Sequence, residues 1–143
     1  MTVRSILAGK GREVTSIEPA ATLKSAVQLL AERRIGAVVV LGADRRIVGI
    51  LSERDIVRAL AERGAAILEE PVSQLMTRKV STCPESETVS AIMERMTAGK
   101  FRHLPVVEQS RLVGIISIGD VVKHRLTEME RESAAMRDYI LTA

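Results

Sequence analysis

With 143 residues, 46% hydrophobic and 27% charged, the chain fits one compact globular domain or two very small ones. One Phe, one Tyr and no Trp exclude an aromatic platform for base stacking and leave Val, Ile, Leu, Ala and Met to fill one shared core. The 21 basic and 18 acidic residues give a net charge of only +3, spread along the chain, so a pI near 9.4 argues as much for anionic small molecules as for nucleic acid.

In chain order, Val3-Arg4-Ser5-Ile6-Leu7 is an apolar lead-in, and Arg4, Lys10, Arg12, Glu13 and Glu18 interrupt the first thirty residues. No run approaches the roughly 18 apolar residues of a membrane span, so a cytoplasmic protein without a membrane partner is expected. A strand leads to a turn at Pro19, and Thr22 is placed to cap a helix with apolar positions Leu23, Ala26, Val27 and Leu30. After Gly36 the run Ala37 to Leu41 reads as a buried strand; a polar turn and a second strand, Ile47 to Leu51, follow. Ser52 is placed to cap a helix starting near Asp55.

The same order then returns. Val72-Ser73-Gln74-Leu75-Met76 resembles the lead-in, Pro84 matches Pro19, and Thr88 caps a helix with Val89, Ile92, Met93 and Met96. Ile35 meets Phe101, Val40 meets Val106, and Ile47-Val48-Gly49-Ile50-Leu51-Ser52 recurs as Leu112-Val113-Gly114-Ile115-Ile116-Ser117, at an offset of 65 or 66. The lone Cys83, just before Pro84, has no partner for a disulfide or metal cluster and reads as a small core residue. Each copy, at about 60 residues, is too small to bury enough surface alone. The two are therefore expected to pack as one pseudo-symmetric body with two related clefts, each drawing residues from both copies.

Beyond Asp120, Val122, Leu126, Met129, Met136 and Ile140, with Ser133 in the remaining slot, form a short heptad seam. It could fold back on its own body, but its flanks Glu128, Arg131, Glu132 and Arg137 suit pairing with another chain, and a homodimer is expected. Three segments result: a first repeat with its lead-in over 1–66, a second over 67–125, and a C-terminal amphipathic helix over 126–143.

The segment Gly49-Ile50-Leu51-Ser52-Glu53-Arg54-Asp55, with its partner Gly114-Ile115-Ile116-Ser117-Ile118-Gly119-Asp120, resembles the signature of the cystathionine β-synthase (CBS) domain family. The tandem resembles that family's Bateman module from about Val3 to His124. The resemblance implies an α+β fold of two pseudo-symmetric β-α-β-β-α repeats packed through their sheets, with the C-terminal helix appended. It also implies clefts for adenosine-containing effectors (AMP, ADP, ATP, S-adenosylmethionine or NAD(H)), no covalent cofactor, and an unidentified regulated protein as partner. By analogy Ser52 and Asp55, helped by Ser81, Phe101, Arg102 and His103, would hold one ligand. Ser117 and Asp120, helped by Thr15, Ile35, Gly36 and Ala37, would hold the other. Independently of family, an Asp one helical turn past a strand end accepts from ribose hydroxyls, and a Ser with helix N-terminal amides suits phosphate. Arg102-His103 stands where the first copy has Gly36-Ala37, so one cleft is expected to carry a phosphate-binding cation and the other to lack one, with unequal affinities.

Blander readings stand beside these. Ser52 with Asp55 and Ser117 with Asp120 could serve as helix caps alone. Arg102 and His103 could be a solvated strand entry, and Arg54 a surface partner. Against an enzyme, the sequence has no metal-spaced His or Cys cluster and no activated Ser; against a nucleic-acid binder, it has no basic stripe. A constitutive structural dimer with empty clefts remains the main rival to a ligand sensor.

Overall fold

The computed structural model describes residues 1–142. Helix α1 (Val3–Lys10) precedes β1 (Ser16–Ile17), α2 (Leu23–Arg33), β2 (Ala37–Leu41), β3 (Ile47–Ser52) and α3 (Glu53–Arg63). Two 3-10 turns, Ala65–Glu69 and Val72–Gln74, lead to α4 (Val89–Gly99), β4 (His103–Glu108), β5 (Arg111–Ser117) and α5 (Ile118–Thr142). The expected α+β repeat pair with a C-terminal helix is what the chain forms.

Local chemistry repeats as the sequence does. Thr22 and Thr88 accept from the backbone N–H of Ser25 at 3.2 Å and Ala91 at 3.1 Å, so each threonine caps its helix. Both helices end on a left-handed residue, Arg34 (φ 55°) and Lys100 (φ 55°). β2 pairs antiparallel with β3, and β4 with β5, each with a bulge at the matching place, Val40/Leu41 and Val106/Val107. Gln109 and Ser110, both at positive φ, close the second hairpin between paired Glu108 and Arg111, the geometry that suits the twist of the flanking strands.

The first strand of each repeat is where the copies part. β1 pairs parallel with β2 through Ser16 and Ile17, but its counterpart is the single bridge from Cys83 to Val106. Val39, which pairs with Ser16, is replaced in the second copy by Pro105, which has no N–H to donate, so only the Cys83–Val106 pair is kept there. Cys83 itself is buried in the core, and burial, aided by the charge of Glu87, pushes its thiol up to about 12.

The single shared core expected from chain length is instead two clusters, one per repeat. Leu23, Ala26, Leu30, Val38, Val40, Leu51 and Ile56 fill the first; Val89, Ile92, Met96, Leu104, Val106, Ile116 and Val121 fill the second. Neither cluster is closed by its own lead-in. Val3, Ile6 and Leu7 of α1 pack into the second cluster, and Val72 and Met76 into the first, so packing crosses the repeat boundary near residue 66. Matching backbone bonds hold the two lead-ins: Val3 N–H to the Glu87 carbonyl at 2.9 Å, and Val72 N–H to the Ala21 carbonyl at 2.8 Å. Each fully buried aliphatic side chain so exchanged stabilises by roughly 1.5–3 kcal/mol, which is why a repeat of this size is not left to its own residues.

Two glycines make the exchange feasible. A Cβ on Gly49 would lie 2.5 Å from Met76 Sδ, and one on Gly114 would lie 2.8 Å from Leu7 Cδ2. Gly49 and Gly114 are repeat partners, and so are Met76 and Leu7. The second-repeat helix and the tail, expected as separate segments meeting near residue 126, form one continuous helix, because no Gly or Pro interrupts α5 after Gly119. Ala143, the last residue of the expected tail, lies outside the described residues.

Candidate functional site

The two sheets meet at the starts of β2 and β4. There a Cβ on Gly36 would stand 3.7 Å from both His103 Cε1 and Glu53 Oε2. Equivalent backbone bonds fasten the helix after each sheet to the strand entry of its own repeat: Glu53 N–H to the Gly36 carbonyl (2.9 Å) and Ile118 N–H to the Arg102 carbonyl (2.8 Å). Gly36, Ala37 and His103 form a wall shared by two clefts.

The first cleft encloses about 400 Å³. Ser52, Asp55, Ser81, Phe101, Arg102 and His103, the residues expected to act together, all line it. Glu53, Arg54, Thr77, Lys79 and Lys100 line it too, so four cations face its space. Its floor is built by a capping box: Ser52 Oγ accepts from Asp55 N–H at 3.2 Å, and Asp55 Oδ2 accepts from Ser52 N–H at 3.1 Å. Thr77 Oγ1 donates to the same carboxylate at 3.3 Å, while its backbone pairs with Ile50 on the free edge of β3. A carboxylate with about four acceptor sites and only neutral donors retains capacity for a ligand hydroxyl.

The second cleft encloses about 330 Å³ and is lined by Thr15, Ile35, Gly36, Ala37 and Ser117 as expected. Asp120 is not among its lining residues. It forms the same two-way bonds with Ser117, at 2.8 and 3.1 Å, but its Oδ2 also receives Lys10 Nζ at 2.6 Å. Burial alone would raise this carboxyl; the Lys10 ammonium and the Ser117 amide and hydroxyl outweigh it and hold the group below its ordinary range. The expectation that this cleft lacks a cation is corrected: Lys10 and Arg34 both line it.

The unanticipated cations follow the repeat. Arg34 and Lys100 are partners at the left-handed helix ends just before Ile35 and Phe101. Lys10 and Lys79 are partners if the lead-in offset is carried three residues past Leu7 and Met76. His103, half-buried between the clefts, is held below its ordinary pKa mainly by burial and next by the charge of Lys10.

The chain matches the CBS domain family twice, over residues 3–62 and 72–127. This chain belongs to the CBS domain family. As a CBS pair it superposes on a CBS-domain containing protein from Agrobacterium tumefaciens with a TM-score of 0.84 and 48% identity, over 87% of this chain and 99% of that one. A CBS domain protein from Pyrobaculum aerophilum complexed with AMP matches with a TM-score of 0.75 and 31% identity, over 84% and 89% of the two chains. A mitochondrial CBS domain-containing protein of Arabidopsis thaliana is 32% identical over 83% of this CBS pair. The chain spans 60% of that protein's own length, and between 20% and 66% of several other curated relatives. No helix among the described residues is long and apolar enough to cross a membrane.

Proposed function

We propose that this CBS pair is a regulatory sensor that binds an adenosine-containing effector in the Asp55 cleft and alters the behaviour of a partner protein. The observation that carries this reading is the juxtaposition, in one space of about 400 Å³, of a carboxylate with spare acceptor capacity and the cations Arg54, Lys79, Lys100 and Arg102. Ligand sites of this kind span roughly 300–1,000 Å³. Asp55 suits ribose hydroxyls, the amides at the start of α3 and the Arg102 fork suit phosphate, and Phe101 offers an apolar wall. The AMP complex of the Pyrobaculum relative supports an adenylate as ligand. The residues gathered here are those of recognition, and we assign them no catalytic step.

Thermal shift and calorimetry with AMP, ATP, S-adenosylmethionine and NAD test the reading. A ligand at 100 times its dissociation constant adds about 2.7 kcal/mol, a rise of several degrees in Tm. No heat and no shift with any adenosine compound at millimolar concentration would leave the capping boxes as helix caps and the clefts as structural gaps.

We also propose a cytoplasmic homodimer. Val122, Leu126, Met129, Met136 and Ile140, the heptad seam of α5, are all exposed in the single chain, as are Val57 and Leu60 on α3, and a second copy would cover them. Removing residues 130–143 is expected to lower the mass found by sedimentation.

A further inference from the structure

The two clefts were built from the same repeat, yet their carboxylates meet different partners. In the first, the chain leaves its 3-10 turn after Gln74, so that by Thr77 it runs as an extended bridge beside β3. Its N–H donates to the Ile50 carbonyl at 2.9 Å and its hydroxyl reaches Asp55. In the second, α1 stays helical through Lys10 and ends at Gly11, whose positive φ and bond to the Leu7 carbonyl close the last turn. Lys10 is thereby carried over the edge of β5. Its Nζ donates to the Ile115 carbonyl at 2.9 Å and to Asp120 Oδ2 at 2.6 Å.

Ile115 is the repeat partner of Ile50, and Asp120 of Asp55. One ammonium therefore takes both acceptors that an amide and a hydroxyl take in the first cleft. Charge-assisted bonds of this kind are roughly twice as strong as neutral ones. The Lys10 and Asp120 side chains are 33% and 24% exposed, which limits screening by solvent. A ribose hydroxyl entering here would have to replace an ion pair, whereas at Asp55 it joins or replaces a 3.3 Å contact from an uncharged hydroxyl.

We propose that Lys10 is a built-in occupant of the Asp120 subsite, and so the specificity-determining residue that limits the chain to one adenosyl ligand, bound at Asp55. The depressed carboxyl of Asp120 agrees with that occupancy. The inference rests on the sensor reading above and adds to it the stoichiometry and its cause.

Calorimetric titration of AMP, with S-adenosylmethionine and NAD as further probes, tests it on four proteins: wild type, Lys10→Met, Asp55→Ala, and the double variant. Wild type is expected to bind one equivalent per chain, with Asp55→Ala weakening it about 10- to 100-fold, the loss of a bond to a charged group. Lys10→Met should bind two, and the double variant should keep one. Lys10→Gln is a second opening variant, and a cooperative melt confirms folding of each. Two comparable equivalents in wild type, or still one in both Lys10 variants, would overturn the proposal while leaving the sensor reading intact. No binding to wild type or to either Lys10 variant would overturn both.

Discussion

The Asp55 and Asp120 clefts share a capping box, a strand edge and a helix start, and differ by one turn of helix in the segment that crosses over from elsewhere in the chain. Thr77 and Lys10 reach equivalent acceptors, the first as extended backbone with a hydroxyl, the second as an ammonium on the end of α1. The comparison teaches that a repeat fixes where a carboxylate stands, while the exchanged lead-in decides whether that carboxylate is available.

The largest effect is expected where the exchange itself is broken. Leu7 is 1% exposed and packs in the second cluster, far in sequence from its neighbours, while Met76 does the same for the first at 9%. Leu7→Ala is expected to cost about 2–5 kcal/mol, with Met76→Ala near the lower end because it is less buried. Urea unfolding checks this. A change below 1 kcal/mol for Leu7→Ala would show that the lead-in lies on the second repeat without completing its core.

Much of this was legible beforehand, for identifiable reasons. The Thr22 and Thr88 caps and the strand Ala37–Leu41 follow from periodicity and from the register of the two copies, while the grouping of Ser81, Phe101, Arg102 and His103 with Ser52 and Asp55 comes from the family resemblance. Repeat alignment says which residues correspond, but it does not say which cluster a lead-in fills, so the exchange and the two cores were hidden. Lys10 was hidden differently. A lysine in the last turn of a helix reads as a solvated charge that suits the helix dipole, and only its height on α1 brings it to Asp120. Arg34 and Lys100 sit at helix ends whose left-handed turn is set by the chain's exit, which neither composition nor spacing announces.

The next effect sharpens the contrast between the carboxylates. Asp55→Ala should weaken AMP about 10- to 100-fold, whereas Asp120→Ala should leave AMP affinity nearly unchanged, because Lys10 already holds that carboxylate. Equal losses in the two variants would erase the distinction. Arg102→Ala should cost about tenfold for AMP and little for adenosine, since only phosphate uses the guanidinium fork. Equal losses for both ligands would place Arg102 in structural support instead.

The smallest effect lies in the wall between the clefts, where His103 reports on both. Burial is the main reason its imidazolium is disfavoured; Lys10 and Arg102 push in the same direction, and Asp120 and Glu53 oppose them. A histidine whose folded pKa is depressed contributes stability that is fully present above its unfolded value, near 6.5, and is lost as pH falls through the folded value. Wild-type stability should therefore decline as pH is lowered below about 6.5, and His103→Gln should flatten that decline. With only two histidines in the chain, NMR titration resolves His103 from His124 directly. Lys10→Met should raise the His103 pKa by removing the larger of its two cationic influences, and Arg102→Ala should raise it less. AMP in the Asp55 cleft should raise it as well, by bringing phosphate charge to the same wall. If His103 titrates at its ordinary value in wild type and ignores Lys10→Met, the ammonium does not sit where the Asp120 cleft needs it, and the difference between the two clefts must be sought elsewhere.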